Sequence, residues 1–154
     1  MGNLTDSQKY ESIKRRIPEP MHAALKRCVH EWEVCMEPVA GAREFCEEAK
    51  SRGKRLFVLS NADQNFYEYF PRFAPFDFFD GIVVSSDLHL IKPDRRIYRH
   101  LLDAYQLRPG ECLFIDDRQE NVEAARQEGM LAEVFTGNFD AIRARLYEER
   151  KGWD

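Results

Sequence analysis

Between residues 42 and 146, short apolar runs alternate with amphipathic segments of helical periodicity, and this alternation limits the fold more than any other feature of the sequence. The apolar runs lie at residues 56–59, 81–85, 112–115 and 131–135. Strands that alternate with helices need crossover connections, which make neighbouring strands parallel. The sequence therefore predicts an α/β fold, a Rossmann-like parallel sheet flanked by helices.

The first 39 residues show a purely helical pattern instead. Thr5 and Gln8 have the spacing of a capping box, which predicts a first helix that ends before Pro18. A second, unbroken helix is predicted from residue 19 to residue 36 because apolar side chains recur there at helical spacing. These side chains are Met21, Leu25, Cys28, Trp32 and Cys35. We therefore predict two domains, a helical hairpin over residues 1–39 and a sheet domain over residues 40–154.

Charge and hydropathy exclude two classes of partner. The 23 basic and 27 acidic side chains are mixed along the chain and give a net charge of −4. No basic stripe points to nucleic acid. No apolar run approaches the roughly 20 residues that span a bilayer, and the polar start lacks the apolar core of a signal peptide. We therefore predict a cytoplasmic protein that binds neither nucleic acid nor membrane.

The four cysteines are Cys28, Cys35, Cys46 and Cys112, and no two of them have CxxC spacing. Reduced cysteines inside helices and strands usually serve as small packing residues, and this is our interpretation of all four. A zinc cluster of Cys28 and Cys35 with nearby histidines is disfavoured because their spacing spreads them around one helix.

Polar residues that suit phosphate binding follow the first two apolar runs. Parallel strands bring their carboxyl ends to one edge of the sheet, where ligands bind. Ser60 and Asn61 end the first run and offer a hydroxyl and free backbone amides to an anion, although both are also ordinary helix caps. Lys92 precedes Pro93 after the second run and can neutralise a phosphoryl group. Taken alone, the segment is equally consistent with a surface lysine at the start of a helix.

Asp116 and Asp117 end the third apolar run. Two adjacent carboxylates at the end of a buried strand repel each other, so they need a cation or several donors. Oxygen ligands of this type favour Mg²⁺, which also bridges to phosphate oxygens. Capping of the next helix by Asp117 is the alternative.

In this order, segments 59–61, 91–94 and 113–118 resemble motifs two, three and four of the haloacid dehalogenase superfamily. The resemblance extends from about residue 37 to about residue 137 and is closest to the branch with a helical cap, which includes sugar-phosphate phosphatases. It implies that Ser60, with the amide of Asn61, binds the phosphoryl group of a small phosphorylated metabolite. Lys92 would stabilise that group, Asp117 would ligate Mg²⁺, and Asp116 would bind it directly or through water. The helical hairpin would be the tail of the cap.

The superfamily's first motif, a strand ending in Asp-x-Asp that supplies the nucleophile, has no counterpart in the sequence. The nearest acids, Asp77 and Asp80, are three apart and precede a strand. In the superfamily the missing strand lies between the strands predicted at 56–59 and 112–115. We consider three outcomes: direct pairing of these two strands, replacement of the missing strand by residues near the N-terminus or from another chain, or a truncated product. We expect truncation or a mis-started reading frame, and self-association through the vacant edges.

The sequence leaves three functions open. The first is a phosphatase that is inactive alone because it lacks the nucleophile. The second is a binding or regulatory module that keeps phosphate or metal affinity at Ser60, Lys92, Asp116 and Asp117. A phospho-acceptor receiver domain ranks last, because it expects the acidic pair after the first strand and the lysine after the last.

Overall fold

A computed structural model describes residues 5–148, and the chain divides into two compact units, residues 1–38 and residues 39–154. In the first unit, α1 (Asp6–Lys14) begins with the predicted capping box: Gln8 N donates to Thr5 Oγ1 over 3.3 Å, and Thr5 N donates to Gln8 Oε1 over 2.9 Å. The second helix, α2, spans His22–His30. The interpretation of residues 1–39 as part of a cap stays a prediction.

The prediction of an unbroken helix from residue 19 to residue 36 is wrong. α2 ends at His30, because the backbone of Glu31 leaves the helical region with φ −131°, and a separate 3-10 turn follows at Trp32–Cys35. Valine, tryptophan and cysteine in this stretch are weaker helix formers than the leucine and alanine of α2. Cys28 and Cys35 are exposed, so the prediction that they are packing residues is also wrong, while all four cysteines are free thiols as expected.

Four short strands and six helices make up the described part of the second unit. The strands are β1 (Phe57–Ser60), β2 (Gly81–Val84), β3 (Leu113–Asp116) and β4 (Leu131–Val134). The helices are α3 (Ala42–Ser51), α4 (Phe66–Tyr69), α5 (Ser85–Leu88), α6 (Arg95–Ala104), α7 (Gln119–Gln127) and α8 (Phe139–Glu148). The order confirms the predicted α/β class. None of the helices between residues 5 and 148 is long and apolar enough to cross a membrane.

The strands form two separate parallel pairs instead of one sheet. β1 pairs with β2, with Phe57 opposite Gly81, and β3 pairs with β4, with Leu113 opposite Leu131. No ladder joins β1 to β3 in the described chain, so the two strands do not close on each other. Direct pairing of these strands, one of the three outcomes considered above, is therefore wrong.

Two hydrophobic clusters pack the helices against the strand pairs. In the larger one, α6 and α7 bury Ile97, Tyr98, Val122 and Ala125 completely against β3 and β4. Small residues on α7, Ala124 and Ala125, let that helix lie close to the sheet. The smaller cluster is aromatic and centres on Phe66 of α4.

The predicted helix over residues 62–70 is much shorter in the structure, where α4 begins only at Phe66. The side chain of Asp63 accepts a hydrogen bond from Asn65 N over 3.1 Å, which makes a turn of the kind that competes with helix formation. The loop after β1 therefore stays open next to the sheet edge.

Gly81 has the least room of the described glycines. A Cβ at residue 81 would overlap the ring of Tyr105, whose hydroxyl accepts a hydrogen bond from Ile82 N over 3.0 Å. We expect Gly81→Ala to lower the free energy of unfolding by about 1–3 kcal/mol, because the ring must move. Gly110→Ala is the control, since nothing lies within 4 Å of the added methyl group. Urea unfolding measures both, and equal stability of the two variants would contradict the packing described here.

Candidate functional site

Lys92 connects the two strand pairs at their carboxyl ends. Its Nζ donates to the carbonyl oxygen of Leu59 in β1 over 2.7 Å and to Oδ2 of Asp116 in β3 over 2.7 Å. Both side chains of the ion pair are only 9% exposed. The ends of β1 and β3 therefore meet at one edge of the unit, hereafter the rim, although the two strands are not paired.

Asn61 fixes the segment that carries Lys92. Its side-chain Nδ2 donates to Lys92 O over 3.0 Å, and its Oδ1 accepts from Lys92 N over 2.8 Å. The peptide bond between Lys92 and Pro93 is cis. Ser60, the last residue of β1, is half-buried beside this brace. The structure thus brings Ser60, Asn61 and Lys92 together, but the Asn61 side chain is committed to the backbone, which leaves only its backbone amide for a ligand.

Ser85 is a rim residue to which the sequence analysis gave no role. Its Oγ donates to Ala62 O over 2.9 Å and accepts from Ala62 N over 3.0 Å. These bonds tie the loop after β1 to the start of α5. A serine at the end of the second apolar run was visible in the sequence, but its partner was not.

Asp116 is enclosed by donors. Besides Lys92, its carboxylate accepts from Asn121 Nδ2 over 2.8 Å and from Arg118 N over 3.0 Å, both at Oδ1. Burial raises the pKa of the Asp116 carboxyl, but the hydrogen bonds from Lys92, Asn121 and Arg118 outweigh it, and the pKa lies below the usual aspartate value. Asp116 is therefore a buried anion that holds Lys92 in place.

This lowered pKa makes the contribution of Asp116 to stability dependent on pH. The folded state binds the Asp116 proton less tightly than the unfolded state, so the stabilisation is complete above the ordinary aspartate pKa, about 3.9. It is lost as the pH falls through the lowered folded value. We expect the difference in unfolding free energy between the wild type and Asp116→Asn to shrink below about pH 4, measured by urea unfolding. A constant difference down to the acid limit would contradict this assignment.

Asn121 is a second residue that the sequence analysis did not assign. Its side chain is 1% exposed, and Tyr98 Oη donates to its backbone oxygen over 2.9 Å. Its Oδ1 has no partner in the described chain, and its Nδ2 is the group that bonds Asp116. The sequence shows an asparagine five residues after Asp116. Its role follows only from its burial and from its bond to Asp116.

Asp117 differs from its neighbour because it is exposed. Asp116 and Asp117 line a cavity of about 490 Å³ at the rim, whose other walls are apolar. Mg²⁺ is commonly held by one or two carboxylates, with substrate phosphate and water as its other ligands, and Asp117 meets this need. Asp116 fits less well as a direct ligand, because its Oδ2 already accepts from an ammonium group. No cluster of three or more acidic, histidine or cysteine ligands occurs within residues 5–148.

One protein family matches most of the chain. A family model described as haloacid dehalogenase-like hydrolase matches residues 6–129. The chain belongs to this family. The sesquiterpene phosphatase astK of Aspergillus oryzae is 32% identical over 145 residues, which cover 85% of this chain and 74% of the fungal protein. The resemblance to the superfamily that the motifs indicated is thereby confirmed.

Solved structures of haloacid dehalogenase-like proteins share the fold. A predicted hydrolase of this family from Porphyromonas gingivalis has a TM-score of 0.69 at 23% identity, over 97% of this chain and 76% of that one. A family enzyme from Bacteroides thetaiotaomicron, in complex with magnesium and inorganic phosphate, has a TM-score of 0.68 at 16% identity, over 90% and 75%.

Other relatives are matched only in part. Bifunctional epoxide hydrolase 2 of Mus musculus is 35% identical over 65 residues, which cover 42% of this chain but 12% of the mouse protein. A dehalogenase of known structure is covered over 56% of its length. The chain therefore spans a part of several of its relatives.

Proposed function

We propose that the protein is a magnesium-dependent phosphatase of the haloacid dehalogenase-like family, acting on small phosphorylated metabolites. The observation that carries the proposal is the position of Lys92 Nζ, 2.7 Å from both Leu59 O and Asp116 Oδ2. This ammonium group is fixed before any ligand arrives, and preorganised charge is what a transferring phosphoryl group needs. The relative called a sesquiterpene phosphatase supports the class of reaction.

Each rim residue then has a separate task. The Ser60 hydroxyl and the Asn61 backbone amide donate hydrogen bonds to phosphoryl oxygens, and Lys92 offsets their negative charge. Asn121 and Asp116 keep the Lys92 ammonium in place. Asp117 would hold Mg²⁺, which would supply positive charge to offset that of the phosphoryl group.

The nucleophile is the part that the rim lacks. The sequence has no Asp-x-Asp, and none of the residues assigned at the rim stands in for it. We propose that the chain binds phosphate but does not turn it over until a strand that carries the nucleophile lies between β1 and β3. The alternative is a non-catalytic phosphate-binding module, which the same absence favours. A cytoplasmic location, and a homo-oligomer as the working state, stay predictions.

Orthophosphate binding tests the rim without requiring turnover. We expect Ser60→Ala to weaken orthophosphate binding about tenfold or more in the presence of Mg²⁺. A hydrogen bond to a charged group contributes about 1.5–3 kcal/mol, and each 1.4 kcal/mol is a factor of about ten. Phosphorus NMR titration measures the affinity.

Ser51→Ala is the matched control, because its Oγ donates to Glu48 O on α3. Equal affinities of the two variants, or no orthophosphate binding by the wild type, would contradict the assignment. Lys92 is unsuitable for this test because its loss also breaks a buried ion pair. A panel of sugar phosphates and prenyl monophosphates then addresses the substrate.

A further inference from the structure

Two side chains at the rim each bond both backbone groups of another residue. Ser85 Oγ donates to Ala62 O over 2.9 Å and accepts from Ala62 N over 3.0 Å. The Asn61 side chain bonds the backbone oxygen and nitrogen of Lys92 in the same way, over 3.0 Å and 2.8 Å. We call such a pair of bonds a bridge. Because Asn61 and Ala62 are adjacent, the two bridges connect the start of α5 with the segment that carries Lys92.

The bridge from Ser85 begins where the ladder between β1 and β2 ends. The last pair of this ladder is Ser60 opposite Val84, and α5 begins at the next residue, Ser85. The backbone of Ser85 enters a helix, so its side chain supplies the bonds to the chain beyond β1. Ala62 is half-buried, and without the Ser85 hydroxyl its N–H and C=O would lose these partners. A side chain therefore fixes the chain just past the end of β1.

The orientation of the Asn61 amide depends on this bridge. A peptide group is planar, so the bond to Ala62 N also fixes the plane of the peptide between Asn61 and Ala62. At the preceding residue, the ladder to β2 fixes Ser60. The N–H of Asn61, which the proposed function assigns to a phosphoryl oxygen, is thus held between two fixed points. One of them is lost if Ser85 releases Ala62.

α5 holds the loop after β1 at a second place, farther from the rim. Tyr67 Oη of α4 donates to Asp87 Oδ2 of α5. The loop from Ala62 to Tyr67 is therefore tied to the same short helix at both ends. Only the bridge from Ser85 acts on the residue next to Asn61, which separates the effects of the two ties.

We propose that Ser85 is a positioning residue for the phosphoryl group. By bridging Ala62, it directs the Asn61 amide towards the ligand and keeps the Asn61 side chain in place on the Lys92 backbone. The hydroxyl proton of Ser85 is already bonded to Ala62 O, so Ser85 acts through the loop and not on the ligand. Donors that are fixed in advance bind a charged group without the cost of ordering them. This inference rests on the proposed function, because it concerns the same phosphate site.

Orthophosphate binding by the full chain in the presence of Mg²⁺ tests the inference, with phosphorus NMR titration as the measurement. We expect Ser85→Ala to weaken binding about tenfold, the effect of losing one well-placed hydrogen bond to a charged group. Ser85→Thr keeps the hydroxyl and should restore the affinity. In nitrogen–proton NMR spectra, orthophosphate should shift the Asn61 amide signal of the wild type and of Ser85→Thr. The same signal should respond much less in Ser85→Ala.

Tyr105→Phe is the matched control, because it removes a bridge of the same kind away from the rim. Tyr105 Oη accepts from Ile82 N over 3.0 Å and donates to Ile82 O over 3.3 Å. We expect the urea midpoint of unfolding to fall in both Ser85→Ala and Tyr105→Phe, but the orthophosphate affinity to fall only in Ser85→Ala. Tyr67→Phe is a second control, since it releases only the far end of the loop and should keep the affinity.

Several results would overturn this inference while the proposed function stands. They are wild-type affinity in Ser85→Ala, an equal loss of affinity in Tyr105→Phe, and a loss in Ser85→Thr as large as in Ser85→Ala. An Asn61 amide that responds to orthophosphate in Ser85→Ala as it does in the wild type would have the same meaning. Failure of the wild type to bind orthophosphate would instead contradict the proposed function, and this inference with it.

Discussion

Asp116→Ala is expected to lower the free energy of unfolding by about 3–5 kcal/mol, because it leaves the Lys92 ammonium buried without its counter-ion. Asn121 Nδ2 and Arg118 N lose their acceptor in the same step. Urea unfolding at neutral pH measures the change. Asp117→Ala is the control, since its exposed side chain should matter by no more than about 0.5 kcal/mol.

A double variant distinguishes the effect of the two charges on stability from the effect of the volume that their side chains fill. Lys92→Met with Asp116→Leu replaces the charges by apolar groups of similar size, and such replacements are often neutral or stabilising. We expect it to recover most of the stability lost in Asp116→Ala while orthophosphate binding is abolished. A double variant as unstable as Asp116→Ala would show that the pair stabilises the rim by more than mutual neutralisation.

Supplying the nucleophile is expected to produce the largest change in activity. The probe is a synthetic peptide, Lys-Lys-Ile-Val-Val-Phe-Asp-Gly-Asp-Lys, whose apolar run ends in Asp-x-Asp. We expect it to raise magnesium-dependent hydrolysis of p-nitrophenyl phosphate about a thousandfold or more over the chain alone, because removal of a nucleophile typically costs at least that much. Release of p-nitrophenol measures the rate.

The matched control is the peptide with asparagine at the first of these positions and aspartate at the second. It should slow alkylation of Cys46 and Cys112, which line a cavity together with residues of β1 and β3, as much as the first peptide does, but give no hydrolysis. If both peptides slow this alkylation and neither restores hydrolysis, the phosphatase proposal is wrong. If neither peptide slows it, the proposal that a strand between β1 and β3 completes the site is wrong.

Much of the second unit could be predicted from periodicity. The four strands lie within one or two residues of the apolar runs, and α6 buries Ile97, Leu101 and Leu102, which recur in the sequence at helical spacing. The end of α2 before Glu31 and the late start of α4 could not be predicted. The first depends on the backbone angles of one residue, and the second on a turn made by the Asp63 side chain. Local propensity gives little information about such positions.

The candidate site was predictable in outline only. Parallel strands imply that Ser60, Lys92 and the two aspartates meet at one edge, and the structure places them there. The different environments of Asp116 and Asp117 were not predictable, because the sequence does not show that β3 ends between these two identical residues. Lys92 binds one of them and the other meets solvent. The partner of Asn121 likewise emerges only from packing.

Tyr105 Oη accepts from Ile82 N at the outer edge of β2, and Arg126 Nε donates to Ala132 O at the outer edge of β4, which has a consequence for self-association. A sheet extends by edge-to-edge addition only where a strand offers unpaired backbone groups. On both outer strands the protein's own side chains already bond such groups. Edge-to-edge growth from β2 or β4 is therefore disfavoured, and with it the formation of fibrils.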